Sequence, residues 1–134
     1  MSQDRYSKTT RNIRIGVQPV FLEAQSEPAQ GRYVWAYHVE IVNEGAETVQ
    51  LLNRTWHITN ARGETRTVQG PGVVGEQPVL EAGARFTYSS GTPLATPSGF
   101  MVGSYEMVTA GGEHFEAAIP AFSLDSPFAP KSIN

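Results

Sequence analysis

Alternation of apolar and polar positions is the strongest pattern along the chain, and it is clearest between residues 33 and 43. A period of two in aromatic and β-branched residues is typical of a β-strand with one buried face. We therefore predict a strand here whose aromatic side lies in the core. That side carries Tyr33, Trp35, Tyr37, Val39 and Ile41.

Shorter runs of the same kind predict further strands, over residues 13–22, 49–59, 64–68, 85–89, 100–108 and 114–122. Pro19 has no N–H to give to a β-ladder, so the first of these strands should break there or lie at an edge. Gly63 and the pair Gly111-Gly112 stand where tight turns need positive φ, which predicts two hairpins.

Turn-forming residues separate these runs, and no segment keeps a 3.6-residue period over three turns. Nine prolines and thirteen glycines punctuate the chain, at the spacing of about 8–12 residues that is typical of sandwiches and barrels. We predict an all-β, antiparallel two-sheet sandwich. The 134 residues should form one domain, with a core over about residues 8–124 and a flexible, proline-rich tail at 125–134.

Residues 70–75 read GPGVVG and fit the pattern G-x-G-x-x-G of dinucleotide-binding turns. Such a turn needs a helix directly after it, whose N-terminal N–H groups hold the pyrophosphate. Pro78 and Gly83 leave no room for that helix. We interpret the segment as a tight corner between the two sheets, in which glycine supplies positive φ. The alternative is an anion-binding nest, in which backbone N–H groups of residues 72–75 cradle a phosphate without a helix.

Composition and charge exclude several classes of chemistry. The chain has no cysteine, which excludes thiol catalysis and thiolate zinc sites and fits a reducing compartment. A net charge of −3 differs from the basic footprint of nucleic-acid binders, so no nucleic acid is expected. We see no signal peptide and no apolar run near the roughly 20 residues of a spanning helix, so no membrane is expected either. Lys8, Arg11 and Arg14 are interpreted as solvated charges beside the first strand.

The candidates for metal or acid–base chemistry are weak. His38 and Glu40 share one face of a strand, but a firm metal site needs three or four ligands and no third is near in sequence. His57 and His114 are two further histidines that could approach each other across the sheets. Asp4 and Asp125 are the only aspartates and lie near the ends, a poor inventory for paired-carboxylate catalysis. We expect neither catalytic residues nor a cofactor.

Several motifs, read together with GPGVVGEQPVL, closely resemble the bacterial ApaG (CorD) family over roughly residues 8–127. They include Arg54-x-Trp56, Phe86-x-Tyr88, Thr96-Pro-Ser-Gly99 and Ile119-Pro-x-Phe122. The resemblance implies a fibronectin type III/immunoglobulin-like sandwich of about seven to eight strands and a cytoplasmic location. Related domains look like protein-interaction modules, and no catalytic residues are established for the family. Its genes often lie beside one for a diadenosine tetraphosphate hydrolase, and it has a historical link to cobalt and magnesium.

These observations together predict a non-enzymatic binding module with an unidentified protein partner, in a monomer or weak homo-oligomer. Recognition usually sits on surface loops of a rigid sandwich, and open sheet edges offer a second route, by strand addition. One alternative is an anionic small molecule, such as a nucleotide polyphosphate, on the N–H groups of residues 72, 74 and 75. Another is a divalent-metal (Co or Mg) binding protein using His38, Glu40 and His57. The predicted groove between residues 70–78 and 90–98 is lined by Gly70, Gly72, Val74, Gly75, Glu76, Ser90, Thr92 and Thr96.

Overall fold

A computed structural model describes residues 6–129, and every regular element in it longer than three residues is a β-strand. The prediction of an all-β fold is therefore confirmed. Within this range no helix is long and apolar enough to cross a membrane. The strands in chain order are β1 (Tyr6–Thr10), β2 (Ile13–Phe21), β3 (Tyr33–Asn43), β4 (Val49–Asn60), β5 (Thr65–Pro71), β6 (Val79–Leu80), β7 (Arg85–Leu94), β8 (Ser98–Thr109) and β9 (His114–Asp125).

The strands form two antiparallel sheets. The first has the order β1-β2-β3-β7, and the second has the order β5-β4-β8-β9, with the two-residue β6 also paired to β4. The structure thus has more strands than the seven to eight expected. Two of them escaped prediction, because β1 has the polar sequence YSKTT without apolar alternation and β6 is too short to show a period.

The core lies between the sheets and is built from their inward-facing rows. All five residues of the predicted aromatic side of β3 are buried, so that prediction is confirmed. The Tyr37 ring of the first sheet lies 5.3 Å from Trp56 and 6.1 Å from Phe122, which both belong to the second sheet. Burying side chains of this size stabilises the fold by about 1.5–3 kcal/mol each, so these contacts hold the two sheets together.

Proline and glycine positions behave largely as predicted. Strand β2 continues through Pro19 to Phe21, but the described part of β1 pairs with it no further than Val17. The strand therefore does not break at Pro19. Gly63 and Gly112 have φ of +82° and +89° in the two predicted hairpin turns.

Strand β7 and the chain after β9 depart from expectation. Strand β7 was expected to end at residue 89, but it pairs with β3 as far as Leu94. Residues 90–94 of the predicted groove wall are therefore strand. Asp125, the first residue of the predicted tail, belongs to β9. Ser126 is buried, and the Phe128 ring lies 6.3 Å from Phe21, so the tail is packed at its start. Residues 130–134 lie outside the described range.

Candidate functional site

The GPGVVG corner connects β5 to β6, and both of these strands pair with β4. The corner therefore lies within the second sheet, and the prediction that it joins the two sheets is wrong. Val73 and Glu76 exchange backbone hydrogen bonds of 2.8 and 2.9 Å. The two residues between them, Val74 and Gly75, have φ of +42° and +82°, as a type I′ hairpin turn requires. The GPGVVG segment thus ends in a two-residue hairpin turn, and no helix follows it.

Gly72 is held in place by its surroundings. Its φ is +62°, and a Cβ added there would lie 2.2 Å from the Glu76 carbonyl oxygen, so only glycine fits. Its N–H donates to the Leu52 carbonyl oxygen at 2.8 Å. The anion hypothesis counted on the N–H groups of Gly72, Val74 and Gly75, and one of the three is already used.

Arg54 of β4 braces this corner from the inner side of the sheet. Its Nη1 donates to the carbonyl oxygens of Pro71 and Gly72 at 3.1 and 2.9 Å. A Cβ added at Gly70 would lie 3.1 Å from the same nitrogen, so the guanidinium covers Gly70. Sequence reasoning missed this role, because solvated strand arginines are common and only the β4–β5 register places Arg54 opposite Gly70.

The candidate residues on the other predicted wall of the groove differ in exposure and in their contacts. Ser90 lies exposed on β7. Thr92 is buried, and its Oγ1 accepts a hydrogen bond from Arg66 Nη2 at 3.4 Å. Thr96 is also buried; its Oγ1 accepts from the Ala61 N–H at 3.0 Å and donates to the Ser98 carbonyl oxygen at 2.8 Å. The hydrogen bonds of Thr92 and Thr96 therefore hold the end of β7 and the following loop in place.

The two predicted walls also belong to different depressions. Pro93 and Leu94 line one of about 420 Å³ together with Arg32 and Arg66. Gly70 and Pro71 line another, of about 740 Å³, on the outer face of the second sheet. We call the latter the outer groove; its other residues are Asn53, Arg54, Thr55, Gln69, Ser104, Glu106, His114, Phe115 and Glu116. Neither of these two depressions is lined by both predicted walls.

The polar side chains of the outer groove bind one another. Glu106 accepts from Asn53 Nδ2 at 2.5 Å and contacts His114 Nδ1 at 3.1 Å. Two hydrogen bonds hold the pKa of Glu106 below its usual range, and the one from Asn53 has a larger effect than the one from His114. Ser104 Oγ donates to Glu116 Oε1 at 3.0 Å. The arrangement is a hydrogen-bonded sheet surface rather than a set of free acid and base groups.

The structure does not assemble the metal ligands that we considered. His38 and Glu40 lie on the outer face of the first sheet, where Glu40 pairs with Arg85 at 3.0 Å and Arg14 at 3.4 Å. Two guanidinium groups thus already compensate this carboxylate. His57 lies on the outer face of the other sheet, where it contacts Thr67. Residues 6–129 contain no group of three or more histidine and acidic side chains placed to hold a metal ion.

His57 and His114 share one sheet, so they do not meet across the sandwich. They pair with Val102 and Val108 of β8, positions that lie six residues or about 20 Å apart along that strand.

The side of the sandwich where β5 and β7 form the sheet edges is open. Pairing with β4 places Arg66, Val68 and Gly70 on the inward face of β5, yet Arg66 is exposed and Val68 only half-buried. Strand β5 therefore extends past the cover that the first sheet provides. We call this space the β5–β7 gap; it is bounded by Arg66, Val68 and Gly70 of β5 and by Tyr88, Ser90 and Thr92 of β7.

Comparison with known proteins identifies the family. The family model for the ApaG domain matches residues 23–109. The chain belongs to the ApaG family. It is 66% identical over 122 residues to Protein ApaG of Rhodospirillum centenum, covering 91% of this chain and 94% of that protein. It is 60% identical over 129 residues to Protein ApaG of Parvibaculum lavamentivorans, covering 96% and 99%.

Solved structures support the same ApaG assignment. A crystal structure of the putative ApaA protein from Bordetella pertussis is 40% identical and superimposes with a TM-score of 0.83, covering 92% of this chain and 98% of that one. The C-terminal domain of Wzt, at 12% identity and a TM-score of 0.55, covers 96% of this chain and 79% of that one and shares the fold alone. The resemblance to the ApaG family seen in the sequence motifs is therefore confirmed.

Proposed function

We propose that this ApaG-family chain is a non-enzymatic module that binds a protein partner by accepting an extended segment as an additional strand on β7. One observation carries the proposal. Strand β7 is a ten-residue edge strand whose register with β3 is continuous. Between Arg85 and Pro93 it has no charged residue and no proline. Edge strands are usually protected by charges, prolines, bulges or short length, and the central part of β7 has none of these.

The opposite side of the sandwich is closed by its own strands. The Ala118 N–H of β9 donates to Thr10 Oγ1 of β1 at 3.2 Å, and the Tyr6 ring lies 6.0 Å from Phe122. Strand β5, the other open edge, is seven residues long, carries Arg66 and ends in Gly70-Pro71. These features favour β7 as the strand that receives a partner.

The ionisable groups of the described residues also support a binding role over catalysis. The polar groups of the outer groove are engaged with one another, as described above. Buried Tyr105 and half-buried Tyr88 are hydrogen-bonded to each other, and desolvation raises the pKa of both hydroxyls. Raised values move these groups further from neutral pH, where acid–base catalysis would need them. A cytoplasmic location and the oligomeric state remain predictions.

To test this, nine-residue peptides are selected from a random library on the immobilised protein. The selected peptides are then titrated into ¹⁵N-labelled protein, and the amide chemical shifts are followed by NMR. We expect saturable amide shifts confined to β7 and β5. Ser90→Lys should weaken binding at least tenfold, because it places a charge beside the edge that the peptide must pair with. Ser123→Lys on β9, also at an exposed serine, should bind like the wild type. Selected peptides that shift the outer groove instead, or that bind Ser90→Lys unchanged, would overturn the proposal.

A further inference from the structure

The arginines at the β5–β7 gap indicate the chemistry of the partner; this inference rests on the proposed strand addition to β7. Among residues 6–129, four arginines form ion pairs with carboxylates: Arg11, Arg14, Arg62 and Arg85. The other three described arginines form no ion pair with a carboxylate of residues 6–129, and all three adjoin the gap. They are Arg32, Arg54 and Arg66.

The positions of these arginines follow from the strand register. Arg66 reaches from β5 to Thr92 of β7, so it marks one end of the gap. Arg54 covers Gly70 and lies near the Tyr88 hydroxyl, whose pKa its charge lowers slightly against the larger effect of burial. It therefore marks the other end. Residues 66 and 70 are four positions apart on β5, which corresponds to about 13 Å.

Half-buried Val68 lies between the two charged ends. Across from it, β7 has the small and exposed Ser90, which shares the inward face with Tyr88 and Thr92 because these three pair with the buried row of β3. A side chain arriving opposite Ser90 would thus face the half-buried, apolar Val68. Along its length the gap therefore presents the Arg66 cation, the apolar Val68 and the Arg54 cation.

We infer that the partner segment has the pattern acidic-x-apolar-x-acidic. Side chains of a strand at i, i+2 and i+4 point to the same face. With the apolar residue over Val68, the two carboxylates would lie beside Arg66 and Arg54. Guanidinium and carboxylate groups form short, charge-assisted and often bidentate hydrogen bonds. Glu64, the carboxylate that lines the neighbouring depression, is already held by Asn60 and Arg62.

The test uses three end-blocked synthetic peptides in the same ¹⁵N titration. They are Thr-Glu-Thr-Val-Thr-Glu-Thr and its counterparts with Gln or Lys in place of both Glu residues. We expect the Glu peptide to shift β7 and β5 amides and to bind at least fivefold more tightly than the Gln peptide, a difference that a partly exposed ion pair can supply. Added salt should reduce that advantage.

Two variants with the same change in net charge separate a local effect from a general one. Arg66→Glu should weaken the Glu peptide at least fivefold and strengthen the Lys peptide. Lys8→Glu, at an exposed position of β1 on the edge of the first sheet opposite β7, should leave both affinities unchanged. Arg66 is exposed, so its replacement should not unfold the protein, and the dispersion of the ¹⁵N spectrum checks this.

The outcomes distinguish this inference from the proposal beneath it. If the Gln and Lys peptides shift the same amides with equal affinity, strand addition stands and the acidic pattern is wrong. The same holds if library-selected peptides bind β7 without acidic residues. If neither the three peptides nor any selected peptide shifts β7, the proposed function and this inference both fall.

Discussion

At the scale of single residues, Val74 has an unfavourable backbone conformation for a β-branched side chain. It has a φ of +42° and is 56% exposed, so its side chain gains little from burial. Positive φ is a genuine outlier for a β-branched residue, and a type I′ turn favours Asn-Gly at its two central positions. Val74-Gly75 occupies those positions here.

We predict that Val74→Asn raises the free energy of unfolding by about 0.5–1 kcal/mol, because asparagine adopts the left-handed conformation at less cost. Urea denaturation followed by tryptophan fluorescence measures this. Val79→Asn is the matched control, since Val79 is similarly exposed, at 59%, but lies in strand β6, where asparagine is disfavoured. Equal effects at the two sites would show that turn strain is not the cause.

The same corner shows what could be read from the sequence at this scale. The glycine pattern and the following Pro78 were enough to exclude a dinucleotide turn and to predict positive φ at the glycines, because these depend on local chain chemistry. The path of the corner within one sheet depends on β6, whose two residues carry no periodic signal. The role of Arg54 depends on the β4–β5 register, which a single sequence does not reveal.

At the scale of elements, the strands with apolar alternation were predicted well and the polar edges were not. Strand β3 is buried on its inner row and was evident from its aromatic residues. Residues 89–92 of β7 are serine, glycine and threonine, and they form a strand because β3 pairs with them. Thr92 was expected in a loop for this reason, whereas Thr96 does lie in the bend between β7 and β8, and Ser90 lies at the proposed binding edge.

Asn43, at the end of β3, joins three elements and provides a prediction at this scale. Its Nδ2 donates to the carbonyl oxygens of Glu47 and Leu80 at 2.8 and 2.9 Å, and its Oδ1 accepts from the Gly45 N–H at 3.0 Å. It therefore ties the β3–β4 loop and β6 to the first sheet. The side chain is almost completely buried, so water cannot replace these bonds.

We predict that Asn43→Ala lowers the free energy of unfolding by about 2–4 kcal/mol, because it leaves several buried polar groups without partners. Asn53→Ala removes one exposed hydrogen bond, to Glu106, and should cost less than about 1 kcal/mol. Urea denaturation of both variants makes the comparison. A loss no larger for Asn43→Ala than for Asn53→Ala would contradict this view of Asn43.

At the scale of the whole molecule, the two sheets meet differently at their two sides. Strands β1 and β9 close one side through Thr10 and Ala118, whereas β5 reaches beyond β7 on the other. The fold class follows from periodicity and turn spacing, which the sequence contains. The open side follows from the strand order, which it does not. The three arginines at that side are ordinary strand or turn residues in the sequence and become a group only through this order.

The hydroxyls of Tyr88 and Tyr105 link the two sheets by a partly buried hydrogen bond between β7 and β8, and this predicts how the protein responds to alkali. Burial is the largest cause of the raised pKa of both groups. The folded protein therefore keeps two protons that the unfolded chain loses above about pH 10. Their contribution to stability is complete below that pH and is lost as the pH rises from there toward the folded-state pKa values.

We predict that the wild type is about 2–3 kcal/mol less stable at pH 11 than at pH 8 through these two groups. The double variant Tyr88→Phe/Tyr105→Phe should lose correspondingly less over the same range, because it has no proton to release at either site. Its stability at pH 8 should stay close to that of the wild type, since removing both partners leaves no unpaired buried hydroxyl. Urea denaturation at intervals between pH 8 and 11 measures both slopes. Parallel declines in the two proteins would mean that other groups control alkaline unfolding and that the link between the sheets does not depend on these protons.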